Sequence, residues 1–222
     1  MRKNTASYHH GDLKTALVQA ALQLIREKGP RGFSMNEACR VAGVSVSAPY
    51  NHFKNKDALL AEITVEGSTL LLAELLAASS EGSPKEKLLK THHAYIHFAE
   101  RHPEYFAVMF QSGIDKGPYP EIREAAQKVS NMAYRIALKM ELSPRQAQEL
   151  VFAIWTIAHG FASLRAEGAL ARASKVHAIR VSDALVRRLL NLPRAGRGGR
   201  LGNRREGGSA LPTVIAADLG MA

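Results

Sequence analysis

The sequence contains a single cysteine, Cys39, among its 222 residues. One thiol excludes an intramolecular disulfide framework and fits a protein of the reducing cytoplasm. Runs in which apolar and polar residues alternate are also missing, which argues against half-buried β-strands. No stretch reaches the ~18 apolar residues of a membrane span. The first dozen residues are too polar for a signal peptide.

The sequence signatures of common enzymes are missing too. No G-x-S-x-G, H-E-x-x-H or phosphate-cradling glycine loop occurs, so we expect neither catalysis nor a cofactor. His93 and His97 have the i, i+4 spacing of two metal ligands on one helix face. No acidic motif completes such a site, and we expect no metal. A metal- or cofactor-binding helical enzyme is the alternative.

Acidic residues are scarce at the two ends of the chain, where positive charge is concentrated. Of the formal net charge of +10, residues 1–60 carry +5, residues 193–222 carry +3 and the long middle segment only +2. A basic N-terminal segment favours a polyanionic partner. From Pro193 the chain is rich in Gly and Arg without aromatic residues, so we expect a disordered tail over 193–222. A nonspecific nucleic-acid arm is the alternative.

Helical periodicity extends over almost the whole chain, interrupted by Gly and Pro. Capping boxes, in which Ser precedes Glu or Gln by three residues, start helices at Ser34, Ser83 and Ser143. We expect an all-α fold of about nine helices. The predicted segments are 12–28, 34–42, a short second helix ending near Phe53, 56–79, 84–101, 103–112, 120–140, 143–166 and 175–191.

The most specific pattern, SMNEACRVAGVSVSAPYNHFKNKDALL (34–60), indicates a helix-turn-helix. Its first helix begins at the Ser34 capping box and ends at Gly43, which accepts a left-handed backbone. Either Ser45 or Ser47 caps the short second helix. Pro49 fits only a first helical turn because it has no N–H, and this favours a late start after Ser47.

The second helix of this motif carries hydroxyl, amide and imidazole groups and no acidic residue. Tyr50, His52 and Lys56 suit phosphate oxygens, whereas Ser47 and Asn51 suit base edges in a major groove. The pattern therefore predicts a DNA-docking element. An ordinary helical hairpin without a DNA role is the alternative.

This segment resembles the DNA-binding domain of the TetR/AcrR family of bacterial transcriptional regulators. The likeness runs without a gap over about residues 8–62 and includes the family's Gly-Val-Ser, Tyr-x-His-Phe and lysine pair. The matching residues are Ser34, Cys39, Gly43, Val44, Ser45, Tyr50, Asn51, His52, Phe53, Lys54, Lys56, Leu59 and Leu60. The chain departs from the pattern at Cys39, where Ala is usual, and at Pro49, where an aliphatic residue is commoner.

The resemblance implies a three-helix DNA-binding domain (1–56), a connecting helix (56–79) and an effector-binding and dimerisation domain (57–192). The implied partner is double-stranded DNA with a pseudo-palindromic operator. The residues expected at the DNA are Ser34, Ser45, Val46, Ser47, Ala48, Tyr50, Asn51, His52 and Lys56. Arg2 and Lys3 are expected to form an arm near the minor groove.

A second likeness lies in AIWTIAHGFASL (153–164), which resembles the W-x3-H-G signature of the WHG-type C-terminal domain; HPEYFAVMF (102–110) fits the same subgroup. Aromatic and Met side chains between residues 84 and 166 suit either a packed core or a small-molecule pocket. The resemblance implies the pocket. Its expected residues are Tyr95, Phe98, Phe106, Met109, Phe110, Phe152, Trp155 and His159.

Two apolar stripes on the last two predicted helices suit pairing with a second copy, as the resemblance implies. Their members are Ile154, Ala158, Ala162 and Leu164 on one helix, and Ile179, Leu185, Val186, Leu189 and Leu190 on the other. We therefore predict a dimeric, cytoplasmic transcriptional repressor that a small molecule releases from its operator. An effector-independent DNA-binding protein is a further alternative.

Overall fold

The structure, a computed structural model, describes residues 10–170 and 175–191, and every regular element in those residues is helical. The eight α-helices are α1 (His10–Lys28), α2 (Met35–Ala42), α3 (Lys56–Ala78), α4 (Pro84–Arg101), α5 (Pro103–Gln111), α6 (Pro120–Ala137), α7 (Pro144–Ala166) and α8 (Lys175–Leu190). The predicted all-α class is confirmed. The expected arm at Arg2 and Lys3 and the expected tail 193–222 lie outside the described residues.

The second helix of the helix-turn-helix departs from the prediction, so the described residues form eight α-helices where nine were expected. Residues 45–53, here called the recognition segment, form turns around a four-residue 3-10 helix, Ala48–Asn51. The Ser45 carbonyl accepts a hydrogen bond from the Ala48 N–H at 3.1 Å, three residues later. Pro49 has no N–H for the α-helical bond to that carbonyl, so the backbone forms the tighter turn.

The late start after Ser47 is confirmed, but the expected serine cap is wrong. Ser47 has helical backbone angles, φ −86° and ψ −20°, and its hydroxyl makes no capping bond. An N-cap hydroxyl accepts from the N–H of the second or third helical residue, and the second residue here is Pro49. The Ser47 hydroxyl lies instead 3.2 Å from the Ser45 hydroxyl.

The three predicted capping boxes are all present. The Ser34 and Ser143 hydroxyls accept from the N–H groups of Glu37 and Gln146, whose side chains accept in return from the capping residues' N–H groups. Ser83 and Glu86 make the same reciprocal bonds at the start of α4. These boxes satisfy N–H groups that a helix start leaves without intrahelical partners. Each therefore begins its helix at the predicted residue.

The chain divides into two compact units. Of the described residues, the first contains those up to Leu70 together with Arg101–Ile122, and the second contains Leu71–Glu100 and those from Arg123 onward. Helix α5 thus belongs to the unit of the helix-turn-helix, and its Val108 lies in the same core as α1, α2 and the start of α3. Cys39 is buried in that core, and burial raises the pKa of its thiol.

Five of the nine residues of the predicted pairing stripes are buried in the second unit. Ile154, Ala158 and Ala162 of α7 are at most 5% exposed, and Val186 and Leu190 of α8 are equally buried. They pack inside their own chain, so they are not available to a second copy and the predicted stripes are wrong at these positions. Among the side chains that the structure describes, the large apolar ones that α7 and α8 leave at the surface are Leu164, Val181 and Leu185.

Candidate nucleic-acid interface and effector cluster

The N-terminus of α2 presents Ser34 at the surface, as expected for a backbone contact, but its hydroxyl is already engaged. It donates to Glu37 Oε2 at 3.1 Å and accepts from the Glu37 N–H at 3.3 Å. Lys28 Nζ lies 2.7 Å from the other carboxylate oxygen. Together with the Ser34 bonds, this lysine lowers the pKa of Glu37 to about 2. This corner therefore carries a carboxylate that stays ionised.

The recognition segment brings together the other predicted contacts except Lys56. Pro49 and Phe53 are buried and anchor it, and the Phe53 N–H donates to the Pro49 carbonyl at 2.8 Å. Ala48 and His52 are half-buried, and the His52 ring lies 6.5 Å from that of Phe53. The exposed members are Ser45, Val46, Ser47, Tyr50 and Asn51. Two buried anchors therefore hold a surface of hydroxyl, amide and apolar groups.

Lys56 begins α3, and its ammonium is turned towards the loop between α1 and α2. Lys56 Nζ donates to the Phe33 carbonyl at 2.8 Å and to the Arg31 carbonyl at 3.4 Å, and it lies 4.3 Å from the centre of the Phe33 ring. Burial lowers the pKa of this lysine. An ammonium has three donors, so these two carbonyls leave one for a further acceptor.

Asn55 joins the start of α3 to a distant part of the first unit. Its Oδ1 accepts from the Ala58 N–H at 2.9 Å, which caps the helix, and from the Tyr119 hydroxyl at 3.3 Å. Sequence reasoning missed Tyr119 because it lies in a Gly/Pro loop 64 residues away, beyond the range of any local pattern. The loop therefore contacts the helix end that is expected to face phosphate.

Helix α5 is joined to α1 and α3 by polar contacts. Arg26 of α1 forms an ion pair with the buried Glu104 at 3.0 Å, and the Tyr105 hydroxyl donates to Glu66 of α3 at 3.3 Å. A Cβ built on Gly67 would lie 2.9 Å from Met109 Sδ, so α3 and α5 approach closely at that glycine. None of these contacts was expected from the sequence.

In the second unit, Tyr95, Phe152, Trp155 and His159 form what we call the aromatic cluster. The Trp155 and His159 rings stack at 5.0 Å, and the Phe152 ring lies 6.0 Å from Trp155. Tyr95 Oη lies 2.9 Å from His159 Nδ1. The structure thus brings together four of the eight residues expected in an effector pocket.

Hydrogen bonds in the aromatic cluster run in one direction. The Trp155 side chain bonds to the Tyr95 hydroxyl, and an indole N–H only donates. The Tyr95 hydroxyl therefore donates onward to His159 Nδ1. Burial lowers the pKa of His159, and in the neutral ring the proton then lies on Nε2, which is 3.4 Å from the Ser163 hydroxyl. The polar groups of this cluster thus bond mainly to one another.

The other four predicted pocket residues are divided between the units. Phe98 is fully buried in the second unit. The remaining three belong to α5 in the first unit, where Phe106 and Met109 are buried and Phe110 is exposed. The Phe106 and Phe110 rings lie 5.0 Å apart.

Two adjacent histidines join α4 to α8 inside the second unit. His92 Nε2 lies 2.9 Å from the Ser182 hydroxyl, and His93 Nε2 lies 2.8 Å from Asp183, which also accepts from Arg187. His92 is 1% exposed, and burial lowers its pKa to about 4. Within residues 10–170 and 175–191, no three or more His, Cys, Asp or Glu side chains form a group suited to a metal ion. The described helices include none long and apolar enough to cross a membrane.

Two family models match the chain. The model described as "Bacterial regulatory proteins, tetR family" matches residues 17–63, and the one described as "Tetracyclin repressor-like, C-terminal domain" matches residues 88–189. A curated relative, the uncharacterized HTH-type transcriptional regulator YobS of Bacillus subtilis (strain 168), is 28% identical over 100 residues. That match covers 45% of this chain and 52% of YobS, so the chain spans about half of that relative's length.

Solved structures show the same fold. A protein of unknown function from Rhodococcus sp. RHA1 is 28% identical with a TM-score of 0.70, and the match covers 82% of this chain and 97% of that one. The TetR family transcriptional regulator PfmR from Thermus thermophilus is 20% identical with a TM-score of 0.61, over 78% and 96% of the two chains. With both family models matched, the chain belongs to the TetR family of bacterial transcriptional regulators.

Proposed function

We propose that the chain is a cytoplasmic repressor that binds a pseudo-palindromic operator as a homodimer and is released by a small-molecule effector. The observation that carries the proposal is the recognition segment, which holds exposed hydroxyl and amide groups on two buried anchors, Pro49 and Phe53. No acidic residue lies between Ala38 and Lys56, so nothing in that stretch repels phosphate. This combination suits docking in a major groove.

The exposed groups divide by chemistry into two roles. Ser47 and Asn51 present hydrogen-bonding groups of the kind that read base edges, whereas Tyr50, His52 and Lys56 suit phosphate oxygens. Lys56 keeps one donor for phosphate beyond its two carbonyl partners, and it begins a helix whose positive end favours anions. Ser34, Ser45, Val46 and Ala48 are proposed as further contacts with DNA.

A homodimer is proposed because one short recognition segment reads too few bases. Two heads on a two-fold axis place half-site centres roughly 34–36 Å apart. Val181 and Leu185 lie four residues apart on α8, hence on one face, and are 48% and 44% exposed. Apart from the adjoining residues of α7 itself, no atom of the described residues lies within 4 Å of a Cβ built on Gly160, which leaves room for a closely packed partner helix.

The dimer is tested with one charge placed on α8. Leu185→Asp should convert the dimer to monomer, measured by light scattering after gel filtration, because an uncompensated carboxylate would be buried in the interface. Leu138→Asp is the matched control, since Leu138 is 39% exposed and lies outside both helices. A wild-type monomer at micromolar concentration, or a dimer unaffected by Leu185→Asp, would contradict this arrangement.

DNA binding is tested by selecting duplexes from a random library with the purified protein. We expect enrichment of inverted repeats and a complex of two protomers per duplex. Asn51→Ala should relax the sequence preference at one position per half-site. Lys56→Ala should weaken binding to all duplexes and lower the slope of log K against log salt by about one unit for each phosphate that is no longer neutralised. Failure to enrich any sequence at moderate salt would end the proposal.

Effector release is proposed from the aromatic cluster, whose stacked Trp155 and His159 rings suit a flat or apolar ligand. Release requires that the effector bind the DNA-free state better than the bound state. Trp155 is the sole tryptophan of the chain, so its fluorescence reports binding directly. Extract fractions that change this fluorescence should also dissociate the protein from its operator.

An effector-independent repressor is a second candidate. It is favoured by one observation, the hydrogen-bond path from Trp155 through Tyr95 to His159, because polar groups that already have partners have less to offer a ligand. This candidate predicts that no extract fraction changes either Trp155 fluorescence or operator affinity.

A further inference from the structure

The recognition segment exposes an apolar side chain near its start. Val46 is 60% exposed, the largest value among the bulky apolar residues of the described chain, and Tyr50, four residues later, is 58% exposed. Val44, two residues before Val46, is half-buried and packs on the core of the first unit. Only one of these two neighbouring valines is therefore used to stabilise the fold.

An exposed valine at this position needs an explanation outside the fold. Single apolar residues are common on protein surfaces, but tight turns usually carry Gly, Pro, Asn, Asp or Ser. Val46 stands between Ser45 and Ser47, whose hydroxyls lie 3.2 Å from each other. The segment thus offers a branched apolar group flanked by two hydroxyl groups, on the surface that we propose meets DNA.

The major groove contains a matching group. Thymine is the base that presents a methyl group there, and apolar side chains recognise it by direct contact. We propose that Val46 contacts a thymine C5-methyl in each half-site and so determines which base stands at that position. The proposal rests on the proposed DNA binding and adds an apolar contact to the hydrogen-bonding contacts of Ser47 and Asn51.

Charge favours DNA over a protein partner as the occupant of this surface. The stretch from Ala38 to Lys56 contains three basic residues, Arg40, Lys54 and Lys56, and no acid. Arg40 and Lys54 are exposed. An apolar group with basic neighbours fits a polyanion that also presents methyl groups.

The test removes the methyl group without changing base pairing. In a duplex enriched from the random library, each thymine is replaced in turn by 2′-deoxyuridine, in both half-sites together. For the wild-type protein, one position should weaken binding by about fourfold per half-site, the effect expected for removing one buried methyl-sized group. Competition binding at fixed salt measures this ratio.

The valine is then removed in a matched pair of variants. Val46→Ala should bind the thymine duplex more weakly and lose the deoxyuridine effect at that position. Val41→Ala deletes the same atoms from a residue that is 43% exposed on α2, and it should keep the effect. Both variants should fold with a stability within about 0.5 kcal/mol of wild type, checked by urea unfolding.

The outcomes separate this proposal from DNA binding itself. A deoxyuridine effect that disappears with Val46→Ala and persists with Val41→Ala supports it. Sequence-specific binding in which no thymine shows an effect dependent on Val46 overturns it, while leaving the proposed DNA binding intact. If no sequence is enriched at all, the DNA-binding proposal fails first.

Discussion

The two units use their polar side chains in opposite ways. In the recognition segment of the first unit, Ser47 and Asn51 are exposed and their backbone is held from below by buried apolar anchors. In the second unit, Tyr95, His159 and His92 are buried or half-buried and bond to groups of the same unit. The exposed polar groups of the first unit can therefore exchange hydrogen bonds to water for bonds to a partner. A ligand of the second unit must instead offer apolar contact or replace internal hydrogen bonds.

The largest expected effect is a difference in stability between variants of a buried anchor and of an exposed residue in the recognition segment. Phe53→Ala should lower the free energy of unfolding by about 3–5 kcal/mol, because it leaves a cavity under the segment, where Phe53 is 3% exposed. Tyr50→Ala should change that free energy by no more than about 0.5 kcal/mol but still weaken DNA binding. Urea unfolding and operator binding measure the two. Equal losses of stability would show that the segment is not organised around its anchors.

The next largest expected effect is the pH dependence of stability that the buried His92 of the second unit causes. The pKa of His92 is lowered from 6.5 to about 4, so protonation favours the unfolded chain. Its contribution is fully present above about pH 6.5 and is lost as the pH falls through 4, by about 3 kcal/mol in total. His92→Gln should make the free energy of unfolding less dependent on pH between pH 7 and pH 4.5, which urea unfolding at a series of pH values measures.

His97→Gln is the control for this experiment, because His97 is 58% exposed and its partner Glu100 lies 3.7 Å away. The His93–Asp183 pair and Arg187 are unchanged in both variants, and the lowered pKa of Asp183 places its titration below the pH range measured. The interpretation fails if His97→Gln flattens the profile as much as His92→Gln does.

The smallest expected effect is the loss of one tyrosine hydroxyl, compared between the two units. Tyr95→Phe removes a buried hydroxyl together with its hydrogen bond to His159 Nδ1, which should cost about 1–3 kcal/mol. Tyr105→Phe removes a half-buried hydroxyl from Glu66, whose carboxylate is then free to bind water, so the cost should be below about 1 kcal/mol. Thermal unfolding of both variants checks the order. A reversed order would mean that the aromatic cluster does not depend on its internal hydrogen bonds.

Local sequence patterns predicted several of the helix ends correctly. The boxes at Ser34, Ser83 and Ser143 and the end of α2 at Gly43, with φ 70°, depend on residues no more than four positions apart, so a local pattern predicts them. Pro49 was equally visible in the sequence, and its missing N–H accounts for the 3-10 helix that replaced an expected α-helix. The type of helix at 48–51 also depends on how the buried Pro49 and Phe53 pack, which no local pattern describes.

The contacts that sequence reasoning missed join distant parts of the chain. Tyr119 meets Asn55 across 64 residues, Arg26 meets Glu104 across 78, and Ser182 meets His92 across 90. No periodicity or motif relates such pairs, because they arise only when complete helices pack. The roles of the predicted DNA contacts and of the predicted pocket residues remain predictions for the same reason, since each depends on a partner molecule.

Because Cys39 is buried, the reactivity of its thiol can report local opening of the first unit's core. Its thiol is 1% exposed in the core of the first unit, and it is the sole cysteine of the sequence. A maleimide can therefore react only when that core opens, so the labelling rate measures the free energy of opening without any engineered label. Operator DNA that binds the closed head should slow this reaction in proportion to its occupancy.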